Sequence, residues 1–124
     1  MKGDPGVNYT IDDLGLPALS RGGATYETET VDHALAPSVS YFISCGTHAS
    51  TFVATLEYSD NDSDWTAETS GAGNTVNLTL ISAGNGSIHC PNPRGRYTHL
   101  SIVQGGTCVM SVTAVVGPLR SVAP

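Results

Sequence analysis

A period of two between apolar and polar residues constrains this chain more than any other feature. From Thr51 to Tyr58 every second residue, beginning with Phe52, is apolar or aromatic, whereas Thr55 and Glu57 fall between them. This is the pattern of a β-strand with one buried face. Residues 75–81 repeat this pattern, 39–45 predict a strand because they are β-branched and aromatic, and 25–31 alternate without a strongly apolar face, as in an edge strand. Residues 96–103 and 107–116 are the last two predicted strands.

Turn-forming residues separate these runs. Clusters of Gly, Pro, Asn, Asp and Ser occupy residues 59–64, 70–74, 84–86 and 91–93. Gly105 and Gly106 lie between the last two runs, which predicts a hairpin joining 96–103 to 107–116. No window has the period of a three-turn helix. The expected fold is all-β, with six to eight strands in an antiparallel β-sandwich or jelly roll.

Residues 1–24 have no sustained period, and several Gly and Pro residues interrupt them. The segment is nevertheless too apolar for a disordered tail. We therefore expect an extended N-terminal arm over 1–24 and a sandwich domain over 25–124. The arm would dock on its own domain or on a neighbour through its large side chains, which are the predicted partner-binding residues Tyr9, Ile11, Leu14, Leu16 and Leu19.

Charge and composition argue against several classes of function. Only 13% of residues are charged, about half the usual ~25%. With five Lys and Arg and a net charge of −6, the chain offers no basic surface for nucleic acid. No apolar run reaches the roughly 18 residues that would span a membrane, and no signal peptide is evident. We expect synthesis and assembly in a cytoplasm, where the three cysteines would be buried free thiols.

An acidic loop is the first candidate metal site. Asp60, Asp62 and Asp64 alternate as at the start of a calcium-binding loop. Trp65 stands where that motif has glycine, and Gly71 stands where it has a bidentate glutamate. The favoured interpretation is a solvated hairpin loop whose side chains cap local backbone donors.

Zinc binding and nucleophilic catalysis are two chemistries that Cys and His residues can support. Cys45 and His48 have a pair-like spacing, but no second pair follows, and His89 and Cys90 are adjacent on a strand and so face opposite ways. No strained elbow, oxyanion loop or helix N-terminus would activate a thiol. We expect no enzyme activity and no cofactor. The Cys and His residues in question are His33, Cys45, His48, His89, Cys90, His99 and Cys108.

Trp65 is a candidate ligand-stacking residue. Together with Tyr58 and Tyr97 it could form a platform for a sugar ring. The alternative is a lone Trp that closes one end of a sandwich.

Two segments carry a resemblance to known proteins. Residues 56–65, Leu-Glu-Tyr-Ser-Asp-Asn-Asp-Ser-Asp-Trp, resemble the strand, Ser-Asp-Asp-Gly and Trp hairpin of small β-sandwich proteins of tailed phages. Residues 95–103, the two glycines after them and the closing strand that ends at Leu119 look similar as well. The combination, over about 39–119, resembles the jelly-roll cement or decoration proteins of phage heads. The chain departs from the pattern at Asp62-Ser63, where Asp-Gly is usual.

The resemblance implies a mechanical role. A cement protein binds the major capsid protein on the exterior of the head, associates with itself as a dimer or trimer, and needs neither nucleic acid nor membrane. Two alternatives remain at this stage. One is another virion part, such as a tail or neck protein, and the other is a carbohydrate-binding module that uses Trp65.

Overall fold

Antiparallel pairing between distant segments organises the chain. The computed structural model describes residues 9–47, 51–69, 76–80 and 83–117, with side chains from residue 15 onward. Within these residues no helix is long and apolar enough to cross a membrane. The strands are β1 (Tyr9–Arg21), β2 (Ala24–Glu27), β3 (Val31–Asp32), β4 (Val39–Cys45), β5 (Phe52–Ser59), β6 (Thr66–Ala67), β7 (Asn77–Leu80), β8 (Gly84–Cys90), β9 (Tyr97–Gln104) and β10 (Cys108–Val116).

The strands form two sheets that pack as a sandwich. One sheet has four strands in the order β1-β10-β4-β8. The other has six, in the order β2-β9-β5-β6, with β3 also paired to β9 and β7 to β5. Every pairing is antiparallel, which confirms the predicted all-β sandwich.

The core lies between the sheets and follows the predicted alternation. Phe52, Ala54 and Leu56 of β5 are buried, the residues between them are partly exposed, and the strand ends on buried Ser59. Tyr41, on β4 of the facing sheet, is the largest fully buried side chain. Truncating a buried Leu or Ile in such a core typically costs about 2–5 kcal/mol of stability. The remaining buried apolar residues include Val39, Ile43, Ile88, Leu100, Ile102, Met110, Val112, Ala114 and Val116.

The N-terminal segment differs from the predicted arm. Residues 9–21 are the edge strand β1, paired with β10, so the sandwich includes them and does not begin at residue 25. Between the pairs Ile11–Ala114 and Leu16–Val112, four residues of β1 lie opposite one residue of β10, and a second shift precedes Leu19. These β-bulges break the period of two, so the strand was not recognised in the sequence. Gly15 lies at the first bulge, where a Cβ would collide with the Val112 backbone.

The predicted hairpin of the last two strands is wrong. β9 belongs to the six-stranded sheet and β10 to the four-stranded sheet, so the Gly105-Gly106 connection crosses between them. Buried Gln104 holds this crossing, because its amide nitrogen donates to the carbonyls of Arg21, Gly22 and Gly106. A glycine turn indicates reversal of the chain but does not decide whether the flanking strands pair or face each other across a core.

The segment predicted as a turn at 84–86 is instead the start of β8. Gly86 pairs with Ile43 and faces the core, where Leu78 from the other sheet fills the space that a Cβ would need. Because Gly86 has no side chain, the two sheets can pack closely here, and no turn is formed.

Candidate functional site

The outer face of the four-stranded sheet is uncharged across β4, β8 and β10. In these strands the outward residues alternate with core residues, and none of them is Asp, Glu, Lys or Arg. Phe42 remains 47% exposed and Val109 53% exposed on this surface. We call it the neutral face, and its residues are Ser40, Phe42, Ser44, Asn85, Ser87, His89, Val109, Ser111, Thr113 and Val115.

Hydrogen bonds order one corner of the neutral face. The His89 ring bonds Ser40 through Nδ1 at 2.8 Å and Ser87 through Nε2 at 3.1 Å. Phe42 packs edge-on against the same ring, with centroids 5.9 Å apart. Ring positions fixed in this way lose little conformational freedom when a partner covers them.

The outer face of the six-stranded sheet has a different character. It carries Glu27 on β2, and Glu57 on β5 directly opposite His99 on β9. Val103 is its half-exposed apolar residue, at 52%. The two outer faces of the sandwich thus differ in charge, and a period of two alone does not reveal which outward residues share a sheet.

Trp65 lies on this second face, stacked on His99. The ring centroids are 3.7 Å apart and the planes are 14° from parallel. His99 is almost fully buried and its Nε2 lies 2.7 Å from Oε1 of Glu57. One face of the indole is therefore occupied by His99. Trp65 also covers the outside of a sheet rather than an end of the core.

The acidic loop is ordered by its own side chains. Asn61 Oδ1 accepts hydrogen bonds from the backbone N–H groups of Ser63 and Asp64, at 3.0 and 2.8 Å. Asp62 has a left-handed φ of 59° and accepts a hydrogen bond from the Thr30 hydroxyl. Residues 60–65 connect β5 to β6 in a hairpin. Across the part of the chain that the structure describes, no three His, Cys, Asp or Glu side chains come together to hold a metal ion.

A cavity at the same end of the sandwich was not anticipated. Its volume is about 280 Å³, and Leu56, Val76 and Pro91 contribute apolar walls. Arg94 Nε lies 2.8 Å from Oε1 of Glu68, whose side chain is only 8% exposed. These two residues are distant in sequence, and no local pattern relates them.

The buried carboxylate of Glu68 affects its surroundings. Its second oxygen, Oε2, is buried without a hydrogen-bond partner. Burial, followed by the charge of Glu68, raises the pKa of the neighbouring Cys90 to about 11. Cys90 is consequently a thiol at neutral pH and no ready nucleophile.

A second, more open groove lies beside the cavity. Its volume is about 520 Å³, and its walls include His33, Pro37, Pro91, Pro93 and Arg96. Pro91 and Asn92 contribute to both hollows.

The remaining predicted site residues are dispersed. His33, His89 and His99 occupy separate environments, and His48 lies outside the described residues. Leu16 packs against the core, whereas Leu19 is exposed. Tyr9, Ile11 and Leu14 belong to β1, but their side chains lie outside the described part. Cys45 and Cys108 do meet, with their sulfur atoms 3.5 Å apart.

Comparison with known proteins relates the chain to others by fold. No protein-family model matches it, and no curated protein matches it. Among solved structures it is similar to one titled "Crystal structure of PirA", with a TM-score of 0.53 and 8% sequence identity over 97% of each chain. At this level of identity the likeness shows a shared fold alone, in agreement with the sandwich described above.

Proposed function

We propose that this chain is a structural virion protein: a cement or decoration protein that binds the major capsid protein on the exterior of a tailed-phage head. The neutral face is the observation that supports this proposal. This face is suited to contact with another protein. It supports the proposal alongside the resemblance of residues 39–119 to such proteins.

Charge depletion is the compositional property that this face shares with the cores of protein interfaces. Burying its hydroxyl groups against another protein requires hydrogen bonds but no costly desolvation of ions. Phe42 and Val109 add apolar area, worth roughly 25 cal/mol per Å² removed from water. The opposite outer face, with Glu27 and Glu57, would remain in solvent.

The proposed mechanism is mechanical and involves no catalytic group or cofactor. A protein that binds the assembled lattice but not separated subunits stabilises the lattice by mass action. Dimers or trimers would bridge neighbouring capsid subunits, and many weak contacts would add through avidity. Assembly would take place in the host cytoplasm.

Binding to phage heads tests the proposal. Expanded heads of the phage whose genome encodes the chain are incubated with purified protein, and bound protein is measured by co-sedimentation. Phe42→Asp should weaken binding at least tenfold by placing a charge in the interface. Val103→Asp is the matched control, since it puts the same charge at an equally exposed position on the opposite face.

Four outcomes are decisive. Selective loss in Phe42→Asp supports the proposal. Equal loss in both variants, or no binding of the wild type to heads, contradicts it. Binding to purified tails instead would identify another virion part.

A carbohydrate-binding role is the second candidate, and the cavity beside Glu68 and Arg94 favours it. Small-ligand sites are mostly apolar with a few placed polar groups, and this cavity combines apolar walls with the Glu68–Arg94 pair. Under this hypothesis, Arg94→Ala abolishes binding to a glycan array, whereas Phe42→Asp leaves that binding unchanged.

A further inference from the structure

Cys45 and Cys108 meet at one end of the four-stranded sheet. Cys45 is the last residue of β4 and Cys108 is the first residue of β10. The two strands are antiparallel neighbours, and Cys45 pairs with Met110, two residues beyond Cys108. The sulfur atoms lie 3.5 Å apart, and both side chains are buried.

Cys90 has a different position. It pairs with Val39, at the opposite end of β4 from Cys45. At about 3.3 Å per residue, six residues of strand separate the two places by roughly 20 Å. The fold therefore brings two of the three thiols together and holds the third away.

We propose that Cys45 and Cys108 are a disulfide-forming site, closed when the protein meets a low-molecular-weight disulfide such as oxidised glutathione. The cross-link would join residues 63 positions apart in the chain. It would connect the adjacent strands β4 and β10 between diagonal neighbours, which in a sheet are typically ~7–8 Å apart, so closure needs a local shift of these strand ends. This inference holds whichever partner binds the neutral face.

The chemistry is thiol–disulfide exchange in two steps. One cysteine loses its proton, and its thiolate attacks a sulfur of the small disulfide, which expels one small thiolate that takes up the proton. The second cysteine then attacks the protein sulfur of the mixed disulfide and expels the second small thiol. The two cysteines are oxidised by two electrons, and the small disulfide is reduced to two thiols.

The surroundings make this reaction slow in the closed fold. Burial, together with the neighbouring Cys108, raises the pKa of Cys45 to about 12, so the thiolate is scarce at neutral pH. Both cysteines are terminal residues of their strands, where local opening costs least. Exchange should therefore proceed through opening of this end of the sheet.

Thiol counting tests the site. The full chain, purified in reductant, is incubated with oxidised glutathione a few degrees below its Tm, then denatured and titrated for thiols. Wild type should fall from three thiols to one, and mass spectrometry should show loss of two hydrogen atoms without an adduct. Because the bond closes a long loop, Tm should rise by on the order of 10 °C.

Matched variants identify the pair. Cys90→Ser should lose both of its thiols and show the same rise in Tm. Cys45→Ser and Cys108→Ser should form no intramolecular cross-link, and their Tm should not rise. The proposal is wrong if wild type retains three thiols, retains glutathione as a stable adduct, or cross-links equally well without Cys45 or without Cys108. Because Cys45→Ser and Cys108→Ser each test the pair, the test remains valid if one of these variants fails to fold.

Discussion

Trp65 stacks on His99 with ring centroids 3.7 Å apart, and His99 in turn contacts Glu57 at 2.7 Å. The stack covers a polar pair on the outside of the six-stranded sheet. The only tryptophan of the chain is thus a structural element of this surface.

Replacing Trp65 by alanine should lower the free energy of unfolding by about 2 kcal/mol, because it removes the stack and exposes the His99–Glu57 pair to water. Trp65→Phe should lower the free energy of unfolding by less than Trp65→Ala does. Urea denaturation followed by circular dichroism measures both. A stability equal to that of the wild type, with loss of sugar binding, would instead support the ligand platform predicted from sequence.

The ion pair of Asp32 and Arg96 should make stability depend on acid pH. Arg96 donates two hydrogen bonds of 3.0 Å to Asp32, which hold the pKa of that carboxyl below its ordinary value of 3.8. Because the folded state favours the ionised form, this stabilisation is complete above pH 3.8 and is lost as the pH falls through the lower, folded pKa.

A carbon-detected NMR titration of the Asp32 carboxyl checks this prediction. In Arg96→Gln the midpoint should rise toward 3.8, since the principal cause of the lowered pKa is gone. Arg94→Gln, on the same loop, should leave the Asp32 midpoint where it is. An unchanged midpoint in Arg96→Gln would contradict the assignment.

Arg94 should be needed chiefly to compensate buried Glu68. Arg94→Ala leaves that carboxylate with the hydrogen bond from the Thr69 backbone N–H but no cation, in a poorly hydrated place, and we expect a loss of about 1–2 kcal/mol. In a Glu68→Gln background the same change should cost less than about 0.5 kcal/mol. A double-mutant cycle by chemical denaturation measures the difference. Additive effects would show that the pair is not coupled.

Removal of residues 1–23 should destabilise the whole sandwich. Without β1, the edge of β10 loses its backbone partner and Leu16 is lost from the core. Deleting only residues 1–8 leaves β1 complete and is the matched control. Thermal unfolding and NMR spectra distinguish the two, and a fully stable 24–124 fragment would restore the arm interpretation.

The strands that sequence predicted best are those with one buried face and a regular ladder. β4 and β5 are examples, since buried residues alternate with more exposed ones along all of β4 and along β5 from Phe52 to Glu57. Sequence failed where geometry departs from that rule. Bulges in β1 and the close packing of Gly86 both disturb the period by which a strand is recognised.

For the candidate sites, sequence supplied residue types but little of their placement. Asn61 and the acidic residues beside it were expected to bond their own backbone, and the structure shows Asn61 doing so. The pairs Glu68–Arg94 and Cys45–Cys108 join residues that no local pattern connects.

By itself, the sequence determined that this protein is an antiparallel β-sandwich, because a period of two and the turn residues between runs act over a few neighbours. The tertiary structure alone decided that β9 and β10 lie in different sheets, that one outer face carries no charge across β4, β8 and β10, and that Cys45 meets Cys108. Those properties depend on which strands become neighbours, and that is set by packing of the whole core.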